Sequence, residues 1–262
     1  MAFSQIQFYS KTLNVSSTVY VLLPESDQGI GVMAHGNTQE PKVLYLLHGY
    51  SDDHSIWMRR TSVERYAAAA GIAVIMPAVN HSYYCNEKYG ERYWDYVSEE
   101  LPMLMHSFFR LSDKPEDTYV AGLSMGGYGA MKLALTFPER FAAAGSFSGA
   151  VDVISEMKDL KGDELFRWQR IFAEPAAEAG GPNDLLALSK KNSNAPNKPR
   201  LYVSCGTADF LYGHHLTFTD ALKRNGWDVT TYEKPDVKHE WSFWDEQIKF
   251  FIPWMLDKNG NK

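Results

Sequence analysis

The chain has 262 residues, 45% of them hydrophobic and 22% charged, with a formal net charge of −6. That balance is of an ordinary globular protein with enough length to bury a sizeable core, and it excludes disordered and fibrous classes. The acidic excess and the lack of any lysine and arginine cluster argue against nucleic acid as a partner.

From the N-terminus, residues 6–13 and 17–23 read as extended stretches joined through Asn14 and Val15. So short a link cannot carry a crossover, and an antiparallel hairpin is predicted. Further strands are predicted at 43–48, 72–77, 119–123, 142–147, 201–205 and 229–232, with segments of helical composition between them. Residues 43–47 and 72–76 are apolar throughout rather than alternating, the pattern of parallel strands covered by helices on both faces. Residues 151–197 contain Gly180-Gly181-Pro182 and no strong strand signal, and read as inserted helices and loops. After His239, Trp241, Trp244, Ile248, Phe251 and Met255 recur at steps of three and four, one apolar stripe of a last helix that Pro253 should kink or end.

The expected architecture is one α/β domain over 1–262, a mostly parallel central sheet with helices on both faces and a small cap-like insertion at about 152–199. The first residues have neither a basic n-region nor an apolar h-region, and no apolar run reaches bilayer-spanning length. A cytoplasmic protein that does not engage a membrane is expected. Cys85 and Cys205 lie far apart and outside any Cys-x-x-Cys or Cys/His spacing, so two reduced thiols and no metal site are expected.

Gly122-Leu123-Ser124-Met125-Gly126 matches Gly-x-Ser-x-Gly, in which a strand turns sharply into a helix with the serine at the apex. The bare pattern is weak, but here a short apolar strand precedes it and a stretch of helical composition follows, ending before Pro138. The helix start offers the Met125 N–H as one oxyanion donor. The second should come from the loop after Leu46-Leu47-His48-Gly49-Tyr50, with the Tyr50 N–H preferred and Gly49 beside it as the fallback. His48 reads as a structural residue of that loop.

A serine hydroxyl needs a neighbouring imidazole to take its proton, and the imidazole needs an acceptor on its other nitrogen. Of the eight histidines, only His214, His215 and His239 follow the serine. The first two open a helix after a strand, whereas His239 follows the final strand, where the base belongs. Gly206-Thr207-Ala208-Asp209 ends an apolar strand in a carboxylate, which makes Asp209 the expected acid. Asp152 is the rival and Asp236 a poorer one, being too near His239 in sequence.

With those residues placed, the chain resembles the bacterial tributyrin esterases of the α/β-hydrolase superfamily, in the wider group that holds S-formylglutathione hydrolases and feruloyl or acetyl-xylan esterases. The resemblance spans nearly the whole length. It is carried by Leu46-Leu47-His48-Gly49 with Trp57, by the stretch from Tyr89-Gly90 to Glu100-Leu101-Pro102, by the elbow through Gly127, by Gly206-Thr207-Ala208-Asp209 and by His239-Glu240-Trp241. It implies hydrolysis of short-chain acyl esters, small-molecule substrates, no metal or organic cofactor, and a homo-oligomer. Feruloyl and acetyl-xylan substrates are the alternative, with S-formylglutathione hydrolysis, acyl transfer and a non-catalytic binding role behind it. The loop Tyr50-Ser51-Asp52-Asp53-His54 lacks the cysteine that S-formylglutathione hydrolases tend to carry near that position, which lowers the thioester reading. Among the aromatics Tyr83, Tyr84, Tyr89, Tyr93 and Trp94, we expect Tyr84 and Trp94, with Gly49, to line the substrate pocket.

Overall fold

The computed structural model describes residues 1–25, 40–172 and 178–257. Eight strands form one sheet: β1 (Ala2–Ser10), β2 (Val15–Leu23), β3 (Val43–Leu47), β4 (Ala73–Pro77), β5 (Thr118–Leu123), β6 (Ala143–Phe147), β7 (Arg200–Gly206) and β8 (Val229–Lys234). Their spatial order is β1-β2-β4-β3-β5-β6-β7-β8. The β1–β2 hairpin and the β2–β4 pairing are antiparallel, and every pairing from β4 to β8 is parallel. The fold is therefore the α/β-hydrolase type anticipated from the sequence.

The hairpin differs from its expected bounds: β1 stops at Ser10 and β2 begins at Val15. The cause lies 90 residues away. The carboxylate of Glu100 accepts hydrogen bonds from the Ser10 hydroxyl and from the backbone N–H groups of Lys11 and Thr12, which bends the chain early. Asn14, at φ 53°, completes the turn in the left-handed region that asparagine tolerates.

Strands β3 and β4 are buried along their full length because helices cover both faces of the sheet. Along the chain these are α1 (Ile56–Arg60), α2 (Val63–Ala70), α3 (Leu101–Phe108), α4 (Met125–Thr136), α5 (Val153–Asp159), α6 (Gly162–Ile171), α7 (Leu185–Lys191), α8 (Tyr212–Arg224) and α9 (Trp241–Leu256). Tyr128 and Met131 of α4 and Phe218 of α8 fill one apolar core. Trp57 of α1, Val63 of α2, and Ile248 and Phe251 of α9 fill the other. The apolar stripe of α9 is thus core, and the helix continues through Pro253, which sits on its exposed side, to Leu256. Helices α5, α6 and α7 all lie between β6 and β7, as the strand-free region suggested. Both cysteines are free and buried. Among the described residues no helix is long and apolar enough to cross a membrane.

Candidate active site

Ser124 stands between β5 and α4 with φ 51° and ψ −119°, a conformation that costs on the order of 1–3 kcal/mol and persists only where surrounding contacts enforce it. Those contacts are visible. The Ser124 N–H donates to the Phe147 carbonyl at 2.9 Å, and the Ser124 carbonyl accepts from the N–H groups of Tyr128 and Ala150, each at 3.1 Å. The flanking glycines are required by space. A Cβ on Gly122 would lie 2.4 Å from the backbone of Gly126, and one on Gly126 would lie 2.3 Å from the Leu47 carbonyl oxygen.

His239, in the loop between β8 and α9, points Nε2 at the Ser124 hydroxyl at 3.0 Å and Nδ1 at Asp209 Oδ2 at 2.8 Å. Its ring is held between Phe210 and Trp244, with centroids 4.7 and 4.8 Å away. The other carboxylate oxygen of Asp209 accepts the Leu211 N–H at 2.9 Å. Burial pushes the Asp209 carboxyl up, but the hydrogen bond and charge of His239, with the Leu211 N–H, outweigh it and hold the group below its ordinary value. Asp209 is thus an anion that fixes the histidine tautomer with Nε2 free to accept.

The competing residues are engaged elsewhere. Asp152 is the N-cap of α5, accepting the Ser155 N–H at 3.0 Å. Asp236 lies in a turn at φ 59°, its N–H donating to the Thr207 hydroxyl. His48 is buried in the loop after β3: its Nε2 accepts the Val79 N–H at 3.1 Å, so Nδ1 carries the proton toward the Gly49 carbonyl at 2.7 Å. Burial brings its pKa down to about 4, which keeps it neutral. His214 and His215 lie on α8.

Ser124 and His239 open into a cleft of about 470 Å³, also lined by Gly49, Tyr50, Leu123, Phe210 and Trp244. The first N–H groups of a helix have no intrahelical partner, which leaves the Met125 N–H at the start of α4 available beside Ser124. A Cβ on Gly49 would come 2.6 Å from the Leu123 side chain and 3.8 Å from Ser124 Cβ, so the loop that carries Tyr50 passes close over the serine.

Two expectations about this cleft are corrected. Tyr84 is fully buried beneath it, its ring against the Gly129 position and its hydroxyl donating to the His48 carbonyl at 3.0 Å. Trp94 lines a separate cavity, where the Lys132 ammonium sits 4.4 Å from its ring centre. Tyr83, Glu156 and Trp168 line the cleft instead. Tyr83 adjoins the expected tyrosine, whereas Glu156 and Trp168 belong to the inserted helices, where no motif marks them.

In comparison with known proteins, residues 10–249 match the Esterase family model, described as a putative esterase. The chain belongs to the Esterase family. It is 30% identical to an acetyl esterase of Caldicellulosiruptor saccharolyticus over 97% of this chain and 98% of that protein. Among solved structures it is similar to the substrate-bound fluorophosphonate-binding serine hydrolase F of Staphylococcus aureus, with a TM-score of 0.85 and 36% identity over 97% of this chain and 98% of that one. An S-formylglutathione hydrolase from Staphylococcus aureus gives a TM-score of 0.84 at 36% identity with the same coverage. A ferulic acid esterase at 20% identity shares the fold. The protein is a serine carboxylesterase acting on small-molecule esters.

Proposed function

We propose that Ser124 is the nucleophile, His239 the general base and Asp209 the acid that orients it, and that the enzyme prefers short acyl chains of about two to four carbons. The observation that carries this reading is the continuous hydrogen-bonded line from Asp209 through His239 to Ser124, at 2.8 and 3.0 Å. His239 Nε2 takes the hydroxyl proton as Ser124 Oγ attacks the ester carbon. The oxygen of the tetrahedral intermediate then carries a negative charge, which the Met125 and Tyr50 N–H groups stabilise. Each such donor contributes about 3 kcal/mol to the transition state. His239 next gives the proton to the departing alkoxide, and water, activated by the same histidine, releases the acid from Ser124.

Support for short acyl groups comes from the lining. A long acyl tail gains about 0.8 kcal/mol per buried methylene only along a continuous apolar groove. Asp52 and Glu156 interrupt the apolar surface of this cleft, and Tyr83 and Trp168 wall it. The inserted segment at about 152–199, which supplies Glu156 and Trp168, acts in this reading as a small cap on the domain. The test is a panel of chromogenic esters from acetyl to decanoyl with methyl ferulate and acetylated xylan, alongside fluorophosphonate labelling. We expect the maximum at acetyl to butyryl and the label on Ser124. Higher kcat/KM for decanoyl than butyryl esters would overturn the acyl preference, and a label elsewhere would overturn the nucleophile.

A second reading, thioester hydrolysis, is favoured by the 36% identity to the S-formylglutathione hydrolase. The acyl-enzyme is the same and only the leaving group differs. Turnover of S-formylglutathione above that of butyryl esters would establish it.

A further inference from the structure

The cleft has a sign of charge as well as a shape. Glu156 and Asp52 line it, and among the described residues lining it there is no lysine or arginine. Among the described residues no hydrogen bond reaches Glu156 Oε1, which is buried against the His214 imidazole with Nδ1 3.4 Å away. The Glu156 side chain nevertheless lines the cleft and is 17% exposed, so its charge acts through space on a ligand bound there and attracts a cation.

An aromatic wall adjoins that carboxylate. The Tyr83 ring lies 4.7 Å from Trp168 and 5.7 Å from Tyr50, centre to centre. The loop presenting it is strained at two consecutive residues, Tyr83 at φ 51° and Tyr84 at φ 52°. The adjoining recess, shared through Tyr50 and Asp52, is charge-balanced, with Arg167 and Arg170 set against Glu87 and Glu91. No surplus of positive charge therefore offsets Glu156 from that side.

We infer that the cleft selects esters carrying a quaternary ammonium group over neutral and anionic esters of the same shape, with Glu156 as the residue that sets the preference. This rests on the proposed esterase site at Ser124. Aromatic faces attract a cation through the ring quadrupole, most strongly where water is excluded. Glu156 adds the opposite charge within the same cleft. The reaction remains hydrolysis: the acyl–oxygen bond breaks, water supplies the new bond, and the cationic alcohol leaves with the proton from His239. An anionic leaving group such as glutathione meets repulsion from the same carboxylates.

The experiment compares butyrylcholine with 3,3-dimethylbutyl butyrate, its uncharged isostere, at pH 8, where an ordinary histidine is neutral. We expect kcat/KM for butyrylcholine to be higher by about tenfold. In Glu156→Gln the ratio falls to near one, and in Glu156→Lys it inverts. Choline inhibits hydrolysis of the neutral ester competitively. A wild-type ratio at or below one, or a preference that survives Glu156→Gln, overturns the charge selection alone. Hydrolysis of neither ester by the folded enzyme overturns the Ser124 reading on which it rests.

Discussion

The Ser124 elbow and the wall of Tyr83 and Trp168 line one cleft but are held by different means. The elbow is fixed by backbone: three main-chain hydrogen bonds at Ser124, and glycines whose neighbours leave no room for a Cβ. The wall is fixed by side chains, ring against ring, with Tyr83 packed on Trp168 and Phe172. The glycine positions admit no larger residue, whereas ring packing accepts alternatives of similar volume. In the proposed reading the chemistry sits on the inflexible side of the cleft and the selectivity on the adaptable side.

The largest effect expected is loss of turnover at the elbow. Ser124→Ala should lower kcat by about a million-fold and Asp209→Asn by about 10⁴-fold, equally for every ester in the panel and with unchanged circular dichroism. A folded Ser124→Ala variant with near-normal turnover would remove the elbow from the chemistry. Gly126→Ala forces a methyl group into the Leu47 and His48 carbonyls and should cost more than about 3 kcal/mol in a denaturant titration. An unchanged midpoint would show that the backbone there can yield.

The His48 loop beneath the elbow makes a prediction in pH. The folded pKa of His48 is lowered to about 4, so between the ordinary histidine value near 6.5 and about 4 the unfolded chain binds a proton that the native protein does not. Stability should therefore fall as pH drops through that window, by up to about 3 kcal/mol. Asp209 adds a separate loss at lower pH, because its depressed carboxyl contributes stability that is present above the ordinary aspartate value near 3.9 and disappears as pH falls through its folded value. Thermal melts from pH 8 to 4 check the first window, and His48→Gln should flatten it.

At the wall, Trp168→Ala should raise the decanoyl-to-butyryl ratio of kcat/KM by about tenfold, since removing the indole lengthens the apolar path. A uniform fall for all chain lengths would place Trp168 with the elbow's class of effect instead. The smallest effect is expected at Asp152→Ala, which loses the α5 cap and about 1 kcal/mol of stability, with ester turnover close to wild type. Turnover falling as far as in Asp209→Asn would return Asp152 to the role of acid.

The elbow and its partners were legible because each carries its reason locally. Gly122 and Gly126 flank Ser124 at fixed spacing, Asp209 ends an apolar strand in a glycine turn, and His239 follows the last strand. Parallel strands read as unbroken apolar runs for the same local reason, burial on both faces. What the sequence left open were positions decided by contacts distant along the chain. The hairpin turned early because Glu100 captured the backbone after β1, which no pattern near residue 10 announces. Tyr83 rather than Tyr84 reached the cleft because two successive left-handed residues set which ring points where, a feature with no glycine to mark it. Trp94 was drawn to Lys132, and Glu156 and Trp168 came to the site on inserted helices. Buried parallel strands and elbows follow from local sterics and periodicity, while the identity of a pocket's walls depends on how separate segments pack, which spacing along one chain does not encode.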